Sequence, residues 1–270
     1  MGKMVAFWSP VAGQGKVTAS MVAIVSSLAQ EKREYEIAVT SVGKEETSLE
    51  AYLEEKRKWI KSEELYERSG VSALLLACKQ GALTRDRIRR CALPLTVSGV
   101  ALFPGLISKI RMIHAREAGR LEFYILTECL KREYDLAFID LGGGFKETSI
   151  QYMKAADLVV VVLPQNPMAW QFFLKERGIF EEKKLFILFG GYLKNSRNSI
   201  AKFRRMYTGW EEKGSGAIPL SEGYMDALAD GKAMEFFMRN EYAGKKDENY
   251  EFIQNTKRAA KRIREAVILS

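Results

Sequence analysis

Six short, largely apolar runs recur along the chain with longer amphipathic stretches between them, and few folds accommodate that alternation. The runs are Met4–Trp8, Ile37–Val42, Gly99–Phe103, Asp135–Asp140, Leu158–Leu163 and Leu185–Phe189. Short runs that are apolar at successive rather than alternate positions read as strands buried on both faces. Helical patterns are expected over Thr18–Gln30, residues 46–92, about His114 to Arg132, near Lys146–Ala155, near Met168–Arg177 and over the tail Asn249–Leu269. Together they predict an α/β fold: a doubly wound, mainly parallel sheet with helices on both faces. No internal repeat, low-complexity tract or Pro/Ser-rich linker interrupts the pattern, so one domain is expected over residues 1–270.

Composition narrows the setting. With 47% hydrophobic residues the chain can fill a core and does not resemble a disordered segment. Its longest apolar run, Leu158–Leu163, suits a strand and falls far short of a membrane span. Met4–Trp8 runs straight into Pro10 and glycines and is too short for a secretion signal. A cytoplasmic protein is expected, with peripheral membrane contact left open. Cys78, Cys91 and Cys129 show no CxxC spacing and a lone histidine, His114, lacks partners, so free thiols are expected and no structural zinc site. The net charge of +8 favours polyanions such as nucleotide, nucleic acid or anionic lipid.

Chemistry concentrates at Ser9-Pro-Val-Ala-Gly-Gln-Gly-Lys-Val-Thr18, between the first strand and the first long helix. Glycines let successive backbone N–H groups turn inward, and a helix N-terminus adds positive potential, so such a loop cradles phosphate. Lys16, after Gly15, can reach terminal phosphates. Gly13, Gln14, Gly15, Lys16, Val17 and Thr18 are therefore the candidate nucleotide-binding residues. The loop departs from the standard phosphate loop twice. Pro10 stands at the first glycine position, and Val17 replaces the hydroxyl residue that ordinarily ligates magnesium. Thr18 is expected to point a different way on the helix.

Asp140 ends its apolar strand and is followed by Leu141 and three glycines. Ligands in doubly wound sheets gather at the carboxyl ends of strands. An acid there can hold a magnesium-bound water or sense a γ-phosphate, with Gly142 and Gly143 letting the loop approach. An N-cap or turn role for Asp140 is the alternative.

Together these motifs resemble the MinD/ParA family of P-loop ATPases, including its CpaE/TadZ pilus-positioning branch, over nearly the whole chain. Ala12–Lys16 looks like the family's deviant Walker A loop, Tyr134–Asp140 like the strand carrying its switch aspartate, and Ala156–Pro164 like the strand that follows. Ala217-Ile-Pro219, with Asp226-Ala227 and Gly231-Lys232, resembles the segment near the adenine pocket, which adds Pro219 to the candidates.

The resemblance implies ATP or ADP as ligand, a homodimer, and protein partners in a larger assembly such as a pilus or secretion apparatus. Its departures concern hydrolysis. The family's signature lysine is Val11 here, Val39-Thr-Ser-Val-Gly43 lacks the acid expected after the second strand, and Gly190-Gly191 stands where an adenine-contacting asparagine is common. Phosphoryl transfer depends on charge and metal placed around the transition state. A nucleotide binder with little or no turnover is expected, with no residue assigned as catalytic and no direct magnesium ligand. An active ParA-type ATPase in DNA partition and a nucleotide-free adaptor are the rivals.

Three basic clusters offer DNA or anionic-membrane contact. They are Arg85, Arg87, Arg89 and Arg90; Lys194, Arg197, Lys202, Arg204 and Arg205, near Tyr207 and Trp210; and Lys257, Arg258, Lys261, Arg262 and Arg264 on the tail helix. The simpler reading of the tail is a final helix packed by its apolar stripe and solvated on its basic side.

Overall fold

The computed structural model describes residues 1–31, 35–42, 48–54, 69–93, 95, 99–106, 115–207 and 214–268. Its strands are β1 (Lys3–Ser9), β2 (Ile37–Ser41), β3 (Val100–Phe103), β4 (Leu136–Gly143), β5 (Leu158–Leu163), β6 (Leu185–Tyr192) and β7 (Gly214–Pro219). They form one sheet in the order β3-β2-β4-β1-β5-β6-β7, and every pairing between them is parallel. The doubly wound α/β architecture expected from the alternation is present.

Its cause is visible residue by residue. On β1, Val5 and Phe7 enter one apolar cluster while Met4, Ala6 and Trp8 enter the other; on β5, Val160 and Val162 face one side and Val159 and Val161 the opposite. Successive side chains alternate faces, so a strand apolar at every position needs cover on both. Helix α1 (Val17–Leu28) supplies part of that cover and is buried almost throughout. After it come α2 (Ser48–Leu53), α3 (Gly70–Lys79), α4 (Arg85–Cys91), α5 (Ala115–Tyr124), a π-helical turn Ile125–Cys129 and α6 (Leu130–Glu133). The second half adds α7 (Glu147–Ala155), α8 (Pro167–Lys175), α9 (Ile200–Met206), α10 (Glu222–Ala229), α11 (Ala233–Arg239) and α12 (Tyr250–Ile268).

Several expectations need correction. The helical stretch over residues 46–92 is broken: α3 ends at Lys79, Gly81 just beyond it takes a left-handed φ of 66° and donates to the Cys78 carbonyl, and Thr84 then caps α4 through the Arg87 N–H. Strand β7 and the helices α9, α10 and α11 were not expected. The tail follows its simpler reading: the apolar stripe of α12, including Phe252, Ile253, Ala259, Ala260, Ile263 and Val267, packs on the core beside α1 and β7. The sequence leaves Trp170, Phe172 and Phe173 open between core and surface; Trp170 and Phe173 are core residues, and Phe172 is 45% exposed. His114 and Trp210 lie outside the described residues.

All three cysteines are free; Cys91 and Cys129 are buried, and burial pushes both thiols up, away from reactive thiolate. Among the described residues no helix is long and apolar enough to cross a membrane.

Candidate functional site

Strand β1 lies at the centre of the sheet between β4 and β5, so the loop leaving its carboxyl end emerges where three strands stop. Register fixes what meets it there: Phe7 pairs with Asp140, Ser41 also pairs with Asp140, and Ser9 pairs with Gly143. The Gly144 N–H donates to the Ser9 carbonyl at 2.9 Å, and the Trp8 indole N–H donates to the Gly144 carbonyl at 2.8 Å. The loop after Asp140 is thereby stitched to the strand that feeds the phosphate loop.

Close backbone approach sets the residue types. A Cβ on Gly15 would lie 2.5 Å from Ser9 Oγ and 2.7 Å from the Val162 carbonyl oxygen, and a Cβ on Gly143 would lie 2.6 Å from the Ala12 Cα. Only glycine fits at either point without movement of main chain. The loop ends in an unusual conformation: Lys16 is left-handed, with φ 52° and ψ 44°, the only non-glycine residue with positive φ among those described. A left-handed residue with a Cβ costs about 1–2 kcal/mol. Such strain persists only where surrounding structure imposes it.

Helix α1 opens at Val17, with no side-chain cap and no acidic residue in its first turn. Its first N–H groups and the positive end of its dipole are therefore offered outward. They face a cavity of about 500 Å³ lined by Gly13, Gly15, Lys16, Val17, Thr18, Gly142 and Gly143 together with Tyr52, Lys146 and Met225. Seven of the ten candidate residues thus converge. Gln14 is exposed and accepts from Asn166 Nδ2 at 3.3 Å, and Asn166 itself caps α8. Asp140 sits fully buried beneath the loop. Pro219, at the end of β7, lines a separate cavity of about 1090 Å³ with Tyr192, Asp226 and α12 residues. Helix α10 joins the two, since its Met225 borders the first and its Asp226 the second.

The structure corrects the expectation for Thr18. Its hydroxyl donates to Asp140 Oδ2 at 2.5 Å in buried surroundings, while Asp140 Oδ1 accepts the Gly142 N–H at 2.8 Å. Val17 borders the same cavity but offers no oxygen, and it joins the core cluster around α1. The left-handed Lys16 is the physical reason: the helix begins one residue after the lysine, and each residue turns it by about 100°.

The lysine stem lies along β6. A Cβ on Gly191 would come 3.0 Å from Lys16 Cδ and 3.2 Å from Cε. Gly190 and Gly191 therefore sit against the phosphate loop.

Tyr52, Lys146 and Met225 escaped the sequence reading because they come from α2, the residue before α7, and α10, with no spacing to link them. The expected basic patches are partly neutralised at home: Arg89 forms a two-pronged pair with Glu36, Arg85 pairs with Glu133 at 3.2 Å, Lys194 with Glu251 at 3.2 Å, and Arg264 with Glu31.

With the loop, the buried acid and the sheet order in place, the solved structures that share this architecture become informative. A ParA family ATPase from Chlorobium tepidum TLS matches with a TM-score of 0.73 at 13% identity, covering 97% of this chain and 98% of that one. The fold is that of the MinD/ParA ATPases. The septum site-determining protein MinD of Pyrococcus horikoshii OT3, solved with Mg-ADP, matches at 0.70 and 12% identity over 97% of this chain and 96% of its own. The MinC:MinD cell division complex of Aquifex aeolicus matches at 0.67 and 12% identity over 97% and 96%. No protein-family model and no curated protein matches the sequence.

A magnesium ion suits the donors present. Mg²⁺ takes hard oxygen ligands, keeps several waters and relies on one or two carboxylates plus nucleotide phosphates. Thr18 Oγ1 supplies such an oxygen at the cavity wall, and the buried Asp140 carboxyl lies directly behind it. Among the described residues no group of three or more His, Cys, Asp or Glu could hold an ion alone, so phosphate would have to complete the site.

Proposed function

We propose that this chain binds ATP or ADP through residues 13–18, hydrolyses it slowly or not at all, and acts as a positioning or assembly factor. The observation that carries the reading is the strained loop: a left-handed Lys16 and an uncapped α1 face a cavity of about 500 Å³, with the buried Asp140 tied to Thr18 behind it. Backbone amides, the helix dipole and the lysine ammonium supply phosphate affinity. Asp140, with Gly142 and Gly143, reports the γ-phosphate to the loop that follows. Pro219 and the α10 segment border the base. The whole of residues 1–270 serves as one nucleotide-binding domain.

Slow turnover follows from what the described residues of the site lack. Val11 offers no ammonium for a partner's nucleotide, and the end of β2 presents Thr40, Ser41 and Val42 rather than an acid that could orient water. Nucleotide would act by favouring a homodimer, which requires that dimer and monomer differ in affinity for it. Exposed Met168, Phe172, Leu193 and Leu220 give such an association apolar surface. The assembly served would be a pilus or secretion apparatus, as in the CpaE/TadZ branch.

Calorimetry of ATP and ADP with magnesium tests the reading. Binding to the wild type that falls at least about tenfold in Lys16→Ala supports it. No binding to either protein would leave the loop a structural relic, and robust magnesium-dependent turnover would overturn the inactive half.

A further inference from the structure

The geometry points to Thr18, not residue 17, as the hydroxyl that this chain presents to the magnesium of a bound nucleotide. The inference rests on the nucleotide reading above and concerns which side chain does the work. A hydroxyl serves there only if it lies beside the acid at the sheet's carboxyl edge and beside the phosphate cavity. Thr18 meets both conditions: its Oγ1 is 2.5 Å from Asp140 Oδ2, and it lines the same cavity as Gly13, Gly15 and Gly142.

Residue 17 fails on chemistry. Val17 borders the same cavity but has no oxygen, and it also packs among the core residues around α1. The substitution is compensated by backbone. Were Lys16 itself the first helical residue, residue 17 would stand second in the helix; the left-handed Lys16 makes Val17 first and Thr18 second. A shift of one residue rotates the helix by about 100°, enough to exchange which side chain faces Asp140. The strain at Lys16 and the hydroxyl at position 18 are therefore one device, and loss of the usual hydroxyl does not by itself remove the metal.

The test compares nucleotide affinity in magnesium and in EDTA, by calorimetry on the full chain. Wild type should bind ADP and ATP more tightly in magnesium. Thr18→Val should lose that gain by about tenfold or more while its affinity in EDTA stays near wild type, and Thr18→Ser should keep the gain. Electron paramagnetic resonance of Mn²⁺ with ADP gives a readout independent of turnover: bound manganese should drop in Thr18→Val alone. The double variant Val17→Thr/Thr18→Val should not recover the gain, because residue 18, not residue 17, is the one placed against Asp140.

An unchanged magnesium effect in Thr18→Val, or full recovery in the double variant, overturns this assignment and leaves nucleotide binding standing. Absence of binding to wild type in both buffers removes the nucleotide reading and this inference with it.

Discussion

Lys16 carries a cost that should be measurable without any ligand. Its left-handed backbone, φ 52° and ψ 44°, costs a residue with a Cβ about 1–2 kcal/mol, and glycine escapes that cost. Lys16→Ala and Lys16→Gly both remove the ammonium and the stem that lies along Gly191, so those losses cancel when the two are compared. They differ in the Cβ. Glycine is freer in the unfolded chain, which returns about 0.5–1 kcal/mol of the relief. The glycine variant should then be more stable than the alanine variant by about 0.5–1 kcal/mol. For a chain of this size that is a rise in Tm of about 1–4 °C. Urea and thermal denaturation without nucleotide read the difference directly. An alanine variant equal to or more stable than the glycine variant would mean that Lys16 is not held left-handed, and the account of why Thr18 faces Asp140 would fall with it.

Three other outcomes follow from described contacts. Gly15→Ala places a Cβ 2.5 Å from Ser9 Oγ and 2.7 Å from the Val162 carbonyl, and should cost about 1–3 kcal/mol in denaturant titration while weakening nucleotide binding. Burial pushes the Tyr134 hydroxyl up to about 12 against the opposing influence of Arg89, so its contribution to stability is whole below about pH 10 and fades as pH rises toward 12. The loss is at most about 2–3 kcal/mol, and Tyr134→Phe should flatten this part of the stability–pH curve, leaving the slope that buried Tyr224 gives in the same direction. Asp140→Ala strips Thr18 of its acceptor and the Gly142 N–H of its partner, and should cost about 2–4 kcal/mol by chemical denaturation, since hydrogen bonds to a buried acid are worth more than neutral ones.

The sequence made the sheet legible where strands are buried on both faces, because nothing but a two-sided core explains six residues such as Leu158–Leu163 without a polar position. It concealed β7, whose Gly-Ser-Gly-Ala start carries little apolar signal and which stands at the sheet's edge with only β6 as a strand neighbour among the described residues. The short helices α9 to α11 have too few turns for a periodic pattern to stand out. The close backbone approach between the glycine loop after β1 and the loop after Asp140 was legible through Gly15 and Gly143, where a Cβ would meet main chain. The contact of Thr18 with Asp140 was not, because it depends on a backbone angle at Lys16 that no residue type announces. Lys146 and Tyr52 were hidden for a different cause: only the fold brings them to the cavity.

The indole of Trp8 touches the site from behind. It donates to Gly144, its ring stands 4.8 Å from Phe145, and Phe145 in turn stands 5.4 Å from the exposed Phe172. Any shift in the glycines after Asp140 must therefore alter the surroundings of a buried fluorophore and tilt an aromatic on the outer surface of α8. A ligand that moved those glycines would therefore have a gauge inside, the emission of Trp8, and a pointer outside, the ring of Phe172.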